Sequence, residues 1–161
     1  MSGLYTNAES ATQRLIAALK FGFEEITTEN GYDNTMRDVF TEIPTQSQLV
    51  NYPSLAIIQG RETSNWDSTE DIQNTLPITL MVWINNQGDP TTGRLTLKKD
   101  IQRRLGVNWM VPGEDDVEAC RLVRYAAYEP FGMFLNVPKV GFIMEIVVTY
   151  NQDVNDPTVS T

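Results

Sequence analysis

The sequence predicts an α+β fold: a mostly antiparallel, mixed sheet of about five strands with two helices packed on one face. Three observations carry this prediction. Residues 7–29 and 90–105 repeat apolar side chains at helical spacing. Five short segments are apolar enough, with the right alternation, to be strands. Their order is helix, three strands, helix, two strands, which is not the strict alternation of a parallel α/β sheet.

The first helix rests on Ala11, Leu15, Ala18, Leu19, Gly22 and Ile26, one apolar stripe. Thr6 and Glu9 form a candidate capping box at its start. Asn30-Gly31 is a suitable stop, because glycine adopts the left-handed conformation at little cost. Residues 36–42 read as a first strand ended by Pro44, and 42–53 as a polar loop. Residues 54–60, SLAIIQG, read as a short buried strand. A polar loop, 61–74, separates it from a long strand at 75–85.

Asp89-Pro90 has the form of an N-cap followed by proline at the first helical position. Leu97, Ile101 and Leu105 make the buried stripe of this second helix, and Gly106 stops it. A loop over 107–118 leads to a strand at 119–128, a loop or hairpin tip at 129–139, and a last strand at 140–150. Residues 1–150 read as a single domain and 151–161 as a free polar tail.

The long strand LPITLMVWI and the last strand VGFIMEIVVTY carry apolar residues on both faces. Two helices cover only one face of a sheet. The second face is therefore closed by the loops 42–53 and 60–75 or by another protein surface.

Composition narrows the function. The chain has 161 residues, a net charge of −9 and no histidine. The negative field argues against sequence-specific binding of DNA. Without histidine there is no Ser-His-Asp or Cys-His arrangement and no histidine metal site. Cys120 is the single cysteine, so no internal disulfide forms; it reads as an inert buried thiol. No apolar run approaches the roughly 20 residues that span a bilayer, and no secretory signal is visible at the N-terminus.

No constellation carries chemistry. Glu114-Asp115-Asp116 with Glu118 is the densest carboxylate cluster, but it lacks the spacing and glycine of a calcium loop and reads as solvated. Gly88, Gly93 and Gly106 are isolated, so no glycine loop cradles a phosphate. A metal-dependent nuclease would need an Asp at one strand end and a Glu-x-Lys on the next; the strands 54–60 and 75–85 offer neither. Accordingly no catalytic residue, cofactor or metal ligand is assigned.

Candidate interface residues are clearer. Arg94, Lys98, Lys99 and Arg103 share one broad face of the second helix. That face is either solvated or docks on acidic surface of another subunit, for which Glu24-Glu25, Glu70-Asp71 and 114–118 are available. Trp66 sits among hydrophilic neighbours and reads as an exposed anchor. Phe131, Met133 and Phe134 lie in an aromatic-rich loop and either fold onto the core or serve as interface anchors.

The succession GYDNTMRDVFTEIP after an amphipathic helix, then YPSLAIIQGRE, LMVWI, a helix with LTLKKDIQRRL, the EPFG element and a terminal IVVTY has a familiar order. Over about 8–150 it resembles the tail terminator (tail completion) proteins of tailed bacteriophages, the minor tail protein U-like family. The resemblance rests on element order and degenerate apolar motifs. It implies a hexameric ring that caps the tail tube, ends its polymerisation and forms the surface to which the filled head attaches. The implied partners are other copies of the chain, the tube protein, head-tail connector proteins and, in a contractile phage, the sheath. Genomic DNA would pass through the channel without sequence-specific binding. The implied location is the neck of the virion, assembled in host cytoplasm. The family supplies no catalytic residue or cofactor. A head-tail joining protein of the same neck is the nearest alternative, and a small metal-dependent nuclease-like enzyme the more distant one.

Overall fold

The computed structural model describes residues 10–66, 71–85, 88–106, 122–131 and 140–153. Among these residues two α-helices and a six-stranded mixed sheet make an α+β fold, with both helices on one sheet face.

The first helix, α1, spans Ala11–Glu24. Ser10 caps it, and Gln13 returns the bond to the Ser10 N–H in a reciprocal capping box. The expected helix, 7–29, runs past Glu24 at its C-terminal end, and residues 7–9 lie outside the described residues. A 3₁₀ turn at Thr28–Asn30, capped by Thr27, replaces its last turn, and Gly31 closes that turn at φ 89°. The Thr6–Glu9 pair lies outside the described residues.

Strand β1, Asp38–Phe40, is only three residues long and runs parallel to β2, Ser54–Gln59. Strand β3, Thr63–Trp66, falls where a loop was expected. All four of its residues are exposed and polar apart from Trp66, so no apolar alternation marks it. Strand β4, Asp71–Ile84, is the longest with β6, Val140–Asp153, and the two pair along their whole length. Strand β5, Leu122–Phe131, pairs with β6 and carries a bulge between Tyr125 and Ala127. The segment 151–153, expected to start a free tail, continues β6 opposite the start of β4.

The sheet order is β1-β2-β4-β6-β5, with β3 following β2 along the same edge of β4. The β2 ladder is interrupted at Pro77, which has no N–H to donate. There Gly60 approaches closely and donates to the Pro77 carbonyl at 2.8 Å.

The second helix, α2, spans Pro90–Leu105 with Asp89 as its N-cap. Its Leu97 and Ile101, with Leu15, Leu19 and Phe23 of α1, bury against Leu55, Ile57, Leu80, Val82, Phe142, Met144 and Ile146 of the sheet. Burial at about 25 cal/mol per Å² of apolar surface makes this layer the main source of stability.

Candidate interaction surfaces

The basic face of α2 was expected to point outward. Arg94 does not: it is 6 % exposed, donating from Nε to the Gly141 carbonyl at 2.9 Å and from Nη2 to the Phe131 carbonyl at 3.0 Å. Both carbonyls lie where β5 and β6 begin to pair, so Arg94 seals the end of that ladder. Its place follows from spacing. At about 100° per residue, Arg94 falls between Ile101 and Leu105 on the wheel, inside the apolar stripe.

The remaining cations keep exposed surface but meet groups of their own chain. Lys98 lies over the Tyr128 ring, with Nζ 4.5 Å from its centroid. Lys99 pairs with Asp33. Arg103 stacks on Tyr32 at 5.0 Å and donates to the Gly31 carbonyl. Arg104 donates to the Gly22 carbonyl at 2.9 Å and pairs with Glu25 at 3.1 Å. Positive charge at the C-terminal end of α1 suits its dipole. Glu24-Glu25, one of the acidic segments offered to a neighbour, thus meets cations internally: Glu25 takes Arg104 and Glu24 lies 3.9 Å from Lys20.

Between these cations lies Asp100, fully buried. Its carboxylate accepts from the Asp33 N–H (3.1 Å), the Asn34 N–H (2.9 Å) and Asn34 Nδ2 (2.8 Å). Three donors on one carboxylate lock the turn that leads from α1 to β1, so its role is structural.

The second sheet face is only partly closed. Leu49 and Tyr52, from the loop 41–53, pack over Ala56 and Trp83 at one end. The segment 61–66 does not fold over this face. Ile58, Met81, Ile143 and Val147 therefore remain half-buried, and Ile43 and Val50 of the covering loop are themselves exposed. Phe131 packs partly against this small cluster. Met133 and Phe134 lie outside the described residues, as do the carboxylates of 114–118, Cys120 and Trp109.

Trp66 is 63 % exposed, as its hydrophilic neighbours predicted. It ends an arm made of β3, the first residues of β4 and the last of β6. A polar knot secures the arm's base. The buried Tyr150 hydroxyl donates to Glu62 and shares a bond with Thr12 of α1, and Ser64 donates to Asn74 at 2.6 Å. Burial, reinforced by the Glu62 carboxylate, pushes the Tyr150 hydroxyl far above its ordinary value, so it stays a donor. Beside this base, a cleft of about 420 Å³ opens between α1 and the ends of β1 and β2, lined by Gln13, Ile16, Lys20, Glu42 and Gln59 among others.

Among the described residues, no three His, Cys, Asp or Glu side chains stand close enough to hold a metal ion, and no helix is long and apolar enough to cross a membrane. Among the described residues the candidate interaction surfaces are a partly covered sheet face, the arm that carries exposed Trp66, and the outer edges of β3 and β5, beside which no further strand pairs. No protein-family model and no curated protein matches the chain.

Proposed function

We propose that this chain is a structural, non-enzymatic subunit of a tailed-phage neck: a tail terminator that caps the tail tube as a hexameric ring. In this reading the ring ends tube polymerisation and offers the surface for head attachment. Its contacts are other copies, the tube protein and the connector. DNA passes through the central channel, where net negative charge, −9 per chain, lets it slide without sticking. One observation supports the reading. The loop 41–53 covers one end of the second sheet face, where Ile58 and Met81 pack against its cluster; Ile143 and Val147 of the same face are only half-buried, and Ile43 and Val50 of that loop are exposed, apolar surface of the kind that marks a protein contact.

Light scattering over a concentration series tests this, with and without purified tail tubes. The expected result is a species of six times 18.2 kDa, alone or on tubes, and tubes that no longer elongate. A strict monomer indifferent to tubes refutes it.

A further inference from the structure

We propose that neighbouring copies join edge to edge, the free edge of β3 in one copy adding antiparallel to the free edge of β5 in the next. The inference rests on the ring reading and specifies its interface.

The backbone supplies the first argument. Among the described residues no strand lies on the outer side of β3 or of β5. These two edges stand at opposite ends of one sheet. An interface between them is head-to-tail, the type that closes into rings. The directions agree as well. β3, β4, β6 and β5 alternate without exception, so β3 of the next copy continues the alternation beside β5. Natural edges are usually guarded by lysine, proline or inward charge. Thr63–Trp66 has none of these, and all four residues are exposed.

Geometry sets the offset. Asn65 is level with Asn151 through Gln73, and Ala127 is level with Glu145, which places them six residues apart along β6. Bringing Asn65 beside Ala127 of the next copy needs a stagger of about 20 Å at ~3.3 Å per residue. Across four strands spaced ~4.8 Å apart, that tilts the strands by about 45°, at the upper end of the tilt usual in closed sheets.

Side chains agree with the backbone. Trp66 stands opposite Ile72, on the helix side of the sheet. On that same side α2 roofs β5, with Lys98 on Tyr128. With Asn65 beside Ala127, antiparallel pairing sets Ser64 opposite Tyr128 and brings the exposed indole one diagonal step beyond it, within reach of that ring and its cation.

The test is disulfide trapping in the full chain, in a Cys120→Ser background. Asn65 and Ala127 both face the helix-free side, and paired positions on adjacent strands lie within disulfide reach. Under mild oxidation the Asn65→Cys/Ala127→Cys double variant is expected to give a ladder ending at six chains, while each single variant stays monomeric on a denaturing gel. Two single variants mixed, one tagged, give a mixed dimer. Cross-linking of Asn65→Cys alone overturns the proposal in favour of a two-fold β3–β3 contact. A six-chain mass by light scattering without any ladder overturns the edge pairing and leaves the ring standing. A monomeric mass with and without tubes removes both. Trp66→Ala gives an independent reading: an unchanged melting curve with at least a tenfold weaker assembly is expected, and unchanged assembly counts against the arm as an interface.

Discussion

Replacing Asp100 by alanine tests whether α2 holds the chain that leaves α1. The buried carboxylate accepts three N–H groups, two from the backbone of Asp33 and Asn34 and one from the Asn34 side chain. A hydrogen bond to a charged acceptor contributes roughly 1.5–3 kcal/mol, and a buried donor left without a partner costs about 1–3 kcal/mol. Two effects reduce the total. The carboxylate's own burial is unfavourable, and Asp33 is exposed, so water reaches its N–H. The net loss expected for Asp100→Ala is about 3 kcal/mol. At ~2–4 °C per kcal/mol for a chain of this size, the melting temperature falls by roughly 6–12 °C. Asp100→Asn keeps the shape but turns one oxygen into a donor that faces a donor, and loses about 2 kcal/mol. Urea denaturation measures both, with the midpoint shifted and the slope unchanged. A loss below ~1 kcal/mol for the alanine variant, or a wild-type midpoint for the asparagine variant, would refute the latch.

Three further outcomes are expected. A Cβ at Gly141 would lie 1.8 Å from the Val82 carbonyl oxygen and 2.8 Å from Phe131 Cζ, so Gly141→Ala must part β4 from β6. A destabilisation of about 3 kcal/mol in a thermal melt is expected, and a neutral effect would contradict the close approach. Hydrogen bonds from the Thr92 hydroxyl and N–H, then the Thr91 N–H, hold the Asp89 carboxyl below its ordinary 3.8. The stability this cap adds is complete above that value and fades as pH falls through the lower folded value. The difference between wild type and Asp89→Ala, followed by helical circular dichroism, should therefore be constant near neutrality and vanish in acid; a difference that persists there would contradict the linkage. Finally, Lys98→Glu with Arg103→Glu removes two cation–π contacts, at a cost of about 1–2 kcal/mol, and leaves the fold intact. Assembly should weaken more than stability does, and an unchanged assembled mass would exclude the basic face from the interface.

Most of the fold was legible because its core elements announce themselves chemically. Asp89-Pro90 and Gly106 bracket α2, and the expected range 90–105 is the observed one. SLAIIQG located β2 within a residue. What escaped was structure without an apolar signature. β3 is a polar, solvent-exposed strand that exists because β4 offers it a ladder, so its cause lies across the hairpin and not in its own residues. The end of α1 was misplaced for a related reason. Ile26 stays buried and in phase with the stripe, although the backbone has already left the helix at Glu24 and tightens into a 3₁₀ turn.

Charge was less legible than apolarity, and the physical reason lies in what each pattern encodes. Spacing places a side chain on a helix face but does not name what that face meets. Arg94 has the spacing of the buried stripe, yet its charge predicts a side chain that faces solvent or an acidic partner surface. The structure resolves the conflict with two carbonyl acceptors that no local pattern reveals. Lys99, Arg103 and Arg104 reached across to Asp33, Tyr32 and Glu25, groups 66 to 79 positions earlier in the chain. Neutral Trp66 was easier, since a large apolar side chain among polar neighbours has nothing nearby to bury it. Internal pairing of the cations also bears on the proposed interface. A salt bridge at the surface contributes little, and these cations already have partners, so in the proposed ring the affinity between copies would come mainly from backbone edges and apolar surface. Charge then sets orientation and rate. High salt should therefore slow assembly without dissolving a formed ring.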